Sequence, residues 1–141
     1  MNNIDGLIEH IDFLARNLSG FDETYVVKIL LLEVGIPERG NSFDYVEEAV
    51  LLWYRDSMRY LSKEIYPTIA KKFGVYATTS QTERTIRLAI TRAWENRDEI
   101  WEVYFPSSQK PTNTEFISRM AKMLEMWRSH CEMLKRVEGG R

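Results

Sequence analysis

Residues 65–94 read Ile65-Tyr66-Pro67-Thr68-Ile69-Ala70-Lys71-Lys72-Phe73-Gly74, then Val75-Tyr76-Ala77-Thr78-Thr79-Ser80, then Gln81-Thr82-Glu83-Arg84-Thr85-Ile86-Arg87-Leu88-Ala89-Ile90-Thr91-Arg92-Ala93-Trp94. The spacing predicts two helices around a corner. Pro67 suits an early helical position, where its missing N–H costs little. Ala70 is small enough to let a second helix approach. Gly74 is expected to end the first helix in the left-handed conformation that glycine adopts without a side-chain penalty. In the second helix, Thr82, Ile86, Ala89, Ile90, Ala93 and Trp94 form an inward stripe at three- and four-residue spacing. Ser80 and Glu83 stand at capping-box spacing. A short helix, a turn opening on Gly and a longer helix make a helix-turn-helix pattern.

The outward residues of the second helix carry chemistry. Gln81, Glu83, Arg84, Arg87 and Leu88 fall on its free side and N-terminal end, and are the expected base readers. Arg can grip the O6 and N7 of guanine with two hydrogen bonds, Gln can pair with adenine, Glu can accept from the cytosine amino group, and an apolar side chain can meet the thymine methyl. Glu83 has a competing duty in the capping box. Lys71, Lys72, Thr79, Ser80 and Arg92 are the expected phosphate contacts, Thr79 and Ser80 acting with the amides of the helix N-terminus. Double-stranded DNA is the partner this pattern expects.

Charge supports the same segment once it is divided. The 141 residues hold 19 Lys and Arg against 21 Asp and Glu, a net −2 with a pI near 5.8, which by itself disfavours a polyanion partner. Residues 1–48, however, hold ten acids and three bases, a net −7, which leaves +5 for residues 49–141. Residues 69–92 carry five bases against the single acid Glu83, a local +4. An acidic front and a basic middle is the asymmetry of a protein with one face toward a polyanion.

Around this corner the chain reads as helical throughout. Ile4, Leu7, Ile8, Ile11, Leu14, Ala15 and Leu18 form one amphipathic stripe, ended by Ser19-Gly20. Asp22 can cap a second helix, with Tyr25, Val26, Ile29, Leu30 and Leu32 as its apolar residues and Gly35 and Pro37 at its end. A third is expected over about 43–61, with Val46, Val50, Trp53, Tyr54, Met58 and Leu61 facing inward. Ile100, Trp101, Tyr104 and Phe105 make a short piece broken by Pro106. Thr112 and Glu115 repeat the capping-box spacing, opening a last helix through Phe116, Met120, Leu124, Trp127, Cys131 and Leu134. The expected fold is all-α: a compact six-helix bundle containing a helix-turn-helix, with an extra N-terminal helix over 1–20, a main domain over 21–137 with an extended last helix, and a tail over 138–141.

Other chemistries find no support. The longest apolar runs are far shorter than the roughly 20 residues of a membrane span, and no leader pattern opens the chain, so a cytoplasmic, non-membrane protein is expected. Cys131 is the single cysteine, so it reads as a small apolar filler, and no intrachain disulfide or thiolate zinc cluster can form. His10 and His130 are isolated, and the Met120, Met123, Met126 and Met133 group reads as core or interface filler. No nucleophile motif or phosphate loop stands out. Neither an enzyme nor a metal or cofactor is expected.

Four blocks together resemble a known family, the C-terminal DNA-binding domain of the sporulation master response regulator of spore-forming Firmicutes. Residues 65–73 look like the first helix of its helix-turn-helix, and Glu83-Arg84-Thr85-Ile86-Arg87-Leu88-Ala89-Ile90 with Ala93-Trp94 resembles its recognition helix. Lys110-Pro111-Thr112-Asn113-Thr114-Glu115-Phe116-Ile117 is similar to the start of its last helix, and Glu33-Val34-Gly35-Ile36-Pro37 to the end of its first. The resemblance covers about residues 22–127. It implies a six-helical domain that binds short DNA boxes as head-to-tail copies and touches the RNA polymerase sigma subunit. It also places Glu83, Arg84 and Arg87 toward the major groove. Leu88 and Gln81 depart from the polar and basic residues of the family pattern, and the turn over 74–81 reads as two residues longer. The chain has no segment for a receiver domain, so a stand-alone effector is expected.

Two functions are therefore carried forward. One is a sequence-specific DNA-binding regulator reading the major groove with the helix near 80–95. The other is an interaction module that does not read DNA and binds the sigma subunit or the full-length regulator as an antagonist. The N-terminal helix (Ile4 to Leu18) and the segment from about Ser129 to Glu138 are expected to pack on each other or on a second copy and so to set the oligomeric state, with a homodimer, head-to-tail on DNA, among the expected partners.

Overall fold

A computed structural model describes residues 3–74 and 78–139. Seven α-helices and no strand occur among them: α1 (Asn3–Leu18), α2 (Glu23–Glu33), α3 (Ser42–Asp56), α4 (Tyr66–Phe73), α5 (Thr79–Glu95), α6 (Glu99–Tyr104) and α7 (Asn113–Glu138). The all-α expectation is met. α3 and α7 pack together at the centre, with α1, α2 and α6 against α7 and α4 and α5 against α3. The core between them is filled by Val46, Val50, Ile69, Ile86, Phe116, Met120 and Trp127, each at most 1% exposed. Burying a large apolar side chain contributes roughly 1.5–3 kcal/mol, so the inward stripe of every long helix is a stabilising element.

Several ends follow from local chemistry. The Asp22 carboxylate accepts from the Tyr25 amide at 2.9 Å and starts α2. Gly35, at φ +90, ends it by letting the Ile36 amide reach the Leu31 carbonyl at 3.0 Å. That turn needs a left-handed residue, and a side chain at Gly35 would also meet the Ala93 backbone at 3.9 Å. At α7 the Thr112–Glu115 capping box forms as expected.

Three local expectations are corrected. α3 stops at Asp56, five residues early, because Ser57 turns left-handed (φ 55) and the Arg59 guanidinium donates to the Trp53 and Met58 carbonyls while lying over the Trp53 ring. A π-helical turn over Leu61–Ile65 then leads directly into α4. The expected apolar face of α2 is rotated: Val26, Val27, Leu30 and Leu31 are buried, whereas Tyr25 and Leu32 stay 45% and 44% exposed. In α1 Ile8 is exposed, while Ile11, Leu14 and Ala15 carry the packing.

The first and last helices pack together. α1 lies along α7, with Arg16 bonded to Glu138 at 2.9 Å, His130 to Asp12 at 2.8 Å, and the buried Cys131 thiol 3.9 Å from the Ala15 carbonyl. Burial pushes that thiol's pKa up, in keeping with a filler. His10 of α1 reaches Glu33 at 3.0 Å and the Tyr104 hydroxyl at 3.1 Å, and Tyr104 donates to Glu33 at 2.7 Å. Burial drives the Tyr104 pKa far upward, so it acts there as a neutral donor.

Candidate nucleic-acid interface

α4 and α5 pack on each other and on α3, forming the corner expected from the sequence. α5 buries Thr82, Ile86, Ala89, Ile90 and Ala93. Thr82 is tolerated there because its hydroxyl donates to the Thr78 carbonyl at 2.9 Å. The opposite face is set by that choice. Gln81, Arg84, Arg87, Leu88 and Arg92 are exposed, as are Ser80 and the α4 residues Lys71 and Lys72, while Thr79 and Glu83 are half-buried. The sequence-predicted residues thus share the outward side of one helix and the end of its neighbour.

Their hydrogen bonds divide them. Arg84 is exposed and, among the described residues, forms no ion pair; the same holds for Lys71 and Arg92. Arg87 donates through Nε to Glu83 Oε1 at 2.9 Å, an i,i+4 pair along the helix. Lys72 is held by Glu48 of α3 at 2.6 Å. An exposed pair such as Arg87–Glu83 contributes about 0–1 kcal/mol, whereas the Glu48 end of the Lys72 pair is half-buried.

The helix start differs from the expected one. Thr78, not Ser80, is the N-cap: its hydroxyl accepts from the Gln81 amide at 3.0 Å, and the Gln81 side chain accepts from the Thr78 amide at 2.9 Å. The run Thr78-Thr79-Ser80-Gln81-Thr82-Glu83 contains two overlapping capping boxes. The earlier one forms and adds a half-turn to the helix. Glu83 is thereby released from the cap, and Gln81 is engaged in it. Gly74 is also not left-handed; at φ 166 and ψ 144 it is extended backbone open to any residue. The full turn over 74–81, with its expected two-residue lengthening, lies partly outside the described residues.

Two residues outside the expected contact set complete the corner, Lys110 and Asn113, the latter read from sequence as a helix cap or a phosphate clamp. Lys110 donates to the Thr91 hydroxyl at 2.9 Å, placing a further cation beside α5. Asn113, in the first turn of α7, donates to the Tyr66 hydroxyl at 2.8 Å and reaches the Glu83 carbonyl at 3.4 Å, tying α4, α5 and α7 together. A groove of about 440 Å³ runs between these residues and Arg87. The signal for both is the Lys110-Pro111-Thr112-Asn113 block, which leads into and opens the Thr112–Glu115 capping box.

No cluster of His, Cys, Asp or Glu that could hold a metal occurs among the described residues, and no described helix is long and apolar enough to cross a membrane. The geometry is a basic helix-turn-helix held on a helical core. The family model described as sporulation initiation factor Spo0A C terminal matches residues 27–124, which spans α4, α5 and the start of α7. The chain therefore belongs to the Spo0A C-terminal family, a family of DNA-binding effector domains.

Proposed function

We propose that this chain is a sequence-specific transcriptional regulator whose α5 enters the major groove. The observation that carries the reading is the outward face of α5, where Arg84 is exposed and forms no ion pair among the described residues, beside Arg87 and Leu88 and above a fully buried apolar stripe. Arg84 and Arg87 read bases. Glu83 holds Arg87 through their ion pair until the groove replaces it, and accepts from a base in its turn. Leu88 meets a thymine methyl. Gln81 reads a base only if it leaves its cap. Lys71, Arg92, Thr79 and Ser80 hold phosphates, joined by Lys72 once it exchanges Glu48 for the backbone. Residues 21–137 form the DNA-binding domain, which occupies DNA as head-to-tail copies and meets the polymerase sigma subunit, and α1 is an addition to it.

Selection of duplexes from a random-sequence pool by the full chain tests this. A short enriched box is expected; a pool that stays random after binding at low salt contradicts it. The engagement of Gln81, Arg87 and Lys72 within the protein favours a second reading, an interaction module that leaves DNA unread and antagonises the sigma subunit or the full-length regulator. Absence of duplex binding at low salt would favour it.

A further inference from the structure

A second cavity, of about 240 Å³, lies where the segment after α6 meets the first turns of α7. Tyr104, Phe105 and Pro111 supply apolar walls, and Lys110, Glu115 and Arg119 are its charged residues. Arg119 is half-buried, and its Nε donates to the Tyr104 carbonyl at 2.7 Å. Among the described residues that is its single hydrogen bond, and no carboxylate lies within ion-pairing distance. Glu115 stands four residues before it on the same helix, the spacing of an ion pair, yet Glu115 Oε1 is held by the Thr112 amide at 2.9 Å in the capping box. That backbone hydrogen bond also keeps the Glu115 carboxyl below its usual range. The Arg119 guanidinium is left with unused donors in a partly dry place, where burial alone acts on it and lowers its pKa. A half-buried cation without a counter-charge is costly.

We propose that this cavity binds a small aromatic carboxylate. The carboxylate takes the free guanidinium edge of Arg119 through paired N–H···O bonds, Lys110 adds a second positive charge by turning from Thr91 toward the ligand, and the ring lies against Tyr104, Phe105 and Pro111. Two cations outweigh the single negative charge of Glu115, and the apolar walls favour a ring over a hydrated inorganic anion. Lys110 is also bonded to Thr91 on α5 at 2.9 Å. Drawing Lys110 toward a bound carboxylate releases Thr91, so occupancy reaches the basic helix through one side chain.

Sodium benzoate and benzamide, titrated into the full chain without DNA and followed by amide NMR shifts, test the proposal independently of any DNA reading. Saturable benzoate binding with shifts centred on residues 104–119, and benzamide weaker by about tenfold or more, is the expected result. Arg119→Met should weaken benzoate by about tenfold, and Lys110→Gln by a smaller factor. Equal titration by benzoate and benzamide, shifts centred elsewhere, or a folded Arg119→Met that binds as wild type would each overturn it. Should Arg119→Met fail to fold, because it also loses the bond to Tyr104, the benzoate and benzamide comparison and Lys110→Gln decide.

Discussion

The α4–α5 corner and the α1–α7 seam use charge in opposite ways. Along the seam, Asp12, Arg16, His130 and Glu138 satisfy one another across two helices, and His10, Glu33 and Tyr104 close a second polar knot beneath them. At the corner, Arg84, Lys71 and Arg92 face outward with no ion pair among the described residues, Arg87 is held by a carboxylate that water already screens, and Lys72 is held by the half-buried Glu48. One region uses its polar groups to fix helices in place. The other leaves them available, a stability cost accepted where a polyanion is to supply the missing partner. The acidic front and the basic middle are therefore different kinds of surface, in addition to having opposite signs.

The contrast can be broken from either side. Leu14, 2% exposed in the seam, should cost about 2–5 kcal/mol of unfolding free energy when changed to Ala, measured by urea denaturation, with no change in DNA preference. Arg87→Ala should remove roughly 1–3 kcal/mol from binding to a selected duplex and leave urea stability within about 0.5 kcal/mol. Thr78→Ala, which opens the α5 capping box, should lower stability by about 1 kcal/mol in the same denaturation experiment. An effect of that size from Ser80→Ala instead would restore the later helix start.

Asp12 gives a pH-dependent test. Hydrogen bonds from His130 and then Arg16 hold its carboxyl below the usual 3.8. A carboxyl depressed in the folded state adds stability above its unfolded pKa, and that stability is lost as pH falls through the folded value. Asp12→Asn should therefore lower the melting temperature at neutral pH and converge on wild type below about pH 4. A difference that persists unchanged to acid would place the effect outside this ion pair.

Much of the fold is legible because it rests on periodicity. The inward stripe of α5, the Asp22 and Thr112 caps and the Gly35 stop each depend on residue type at a fixed spacing, and each forms where expected. Where two local solutions compete, spacing does not decide. The Thr78 and Ser80 boxes both satisfy the pattern, and their difference reassigns Gln81 and Glu83. α2 is apolar nearly all round, so its buried face depends on the neighbours that arrive rather than on its own residues. α3 ends without Gly or Pro, through a left-handed Ser57 and a capping Arg59 that no linear pattern marks. Lys110, Asn113 and Arg119 acquire meaning through contacts made across helices. For the residues proposed to meet DNA, type and face are readable from spacing, as is the i,i+4 pair of Arg87 with Glu83; the hold of Glu48 on Lys72 is a tertiary contact that spacing does not mark.

The central claim is that Arg84 reads bases while Lys71 holds the backbone. The ratio of affinities for a selected and a scrambled duplex, at one fixed salt concentration, measures it in wild type, Arg84→Ala and Lys71→Ala. Arg84→Ala should shrink this ratio by roughly tenfold or more, whereas Lys71→Ala should weaken both duplexes and keep the ratio. Equal losses on both duplexes in both variants would contradict the claim.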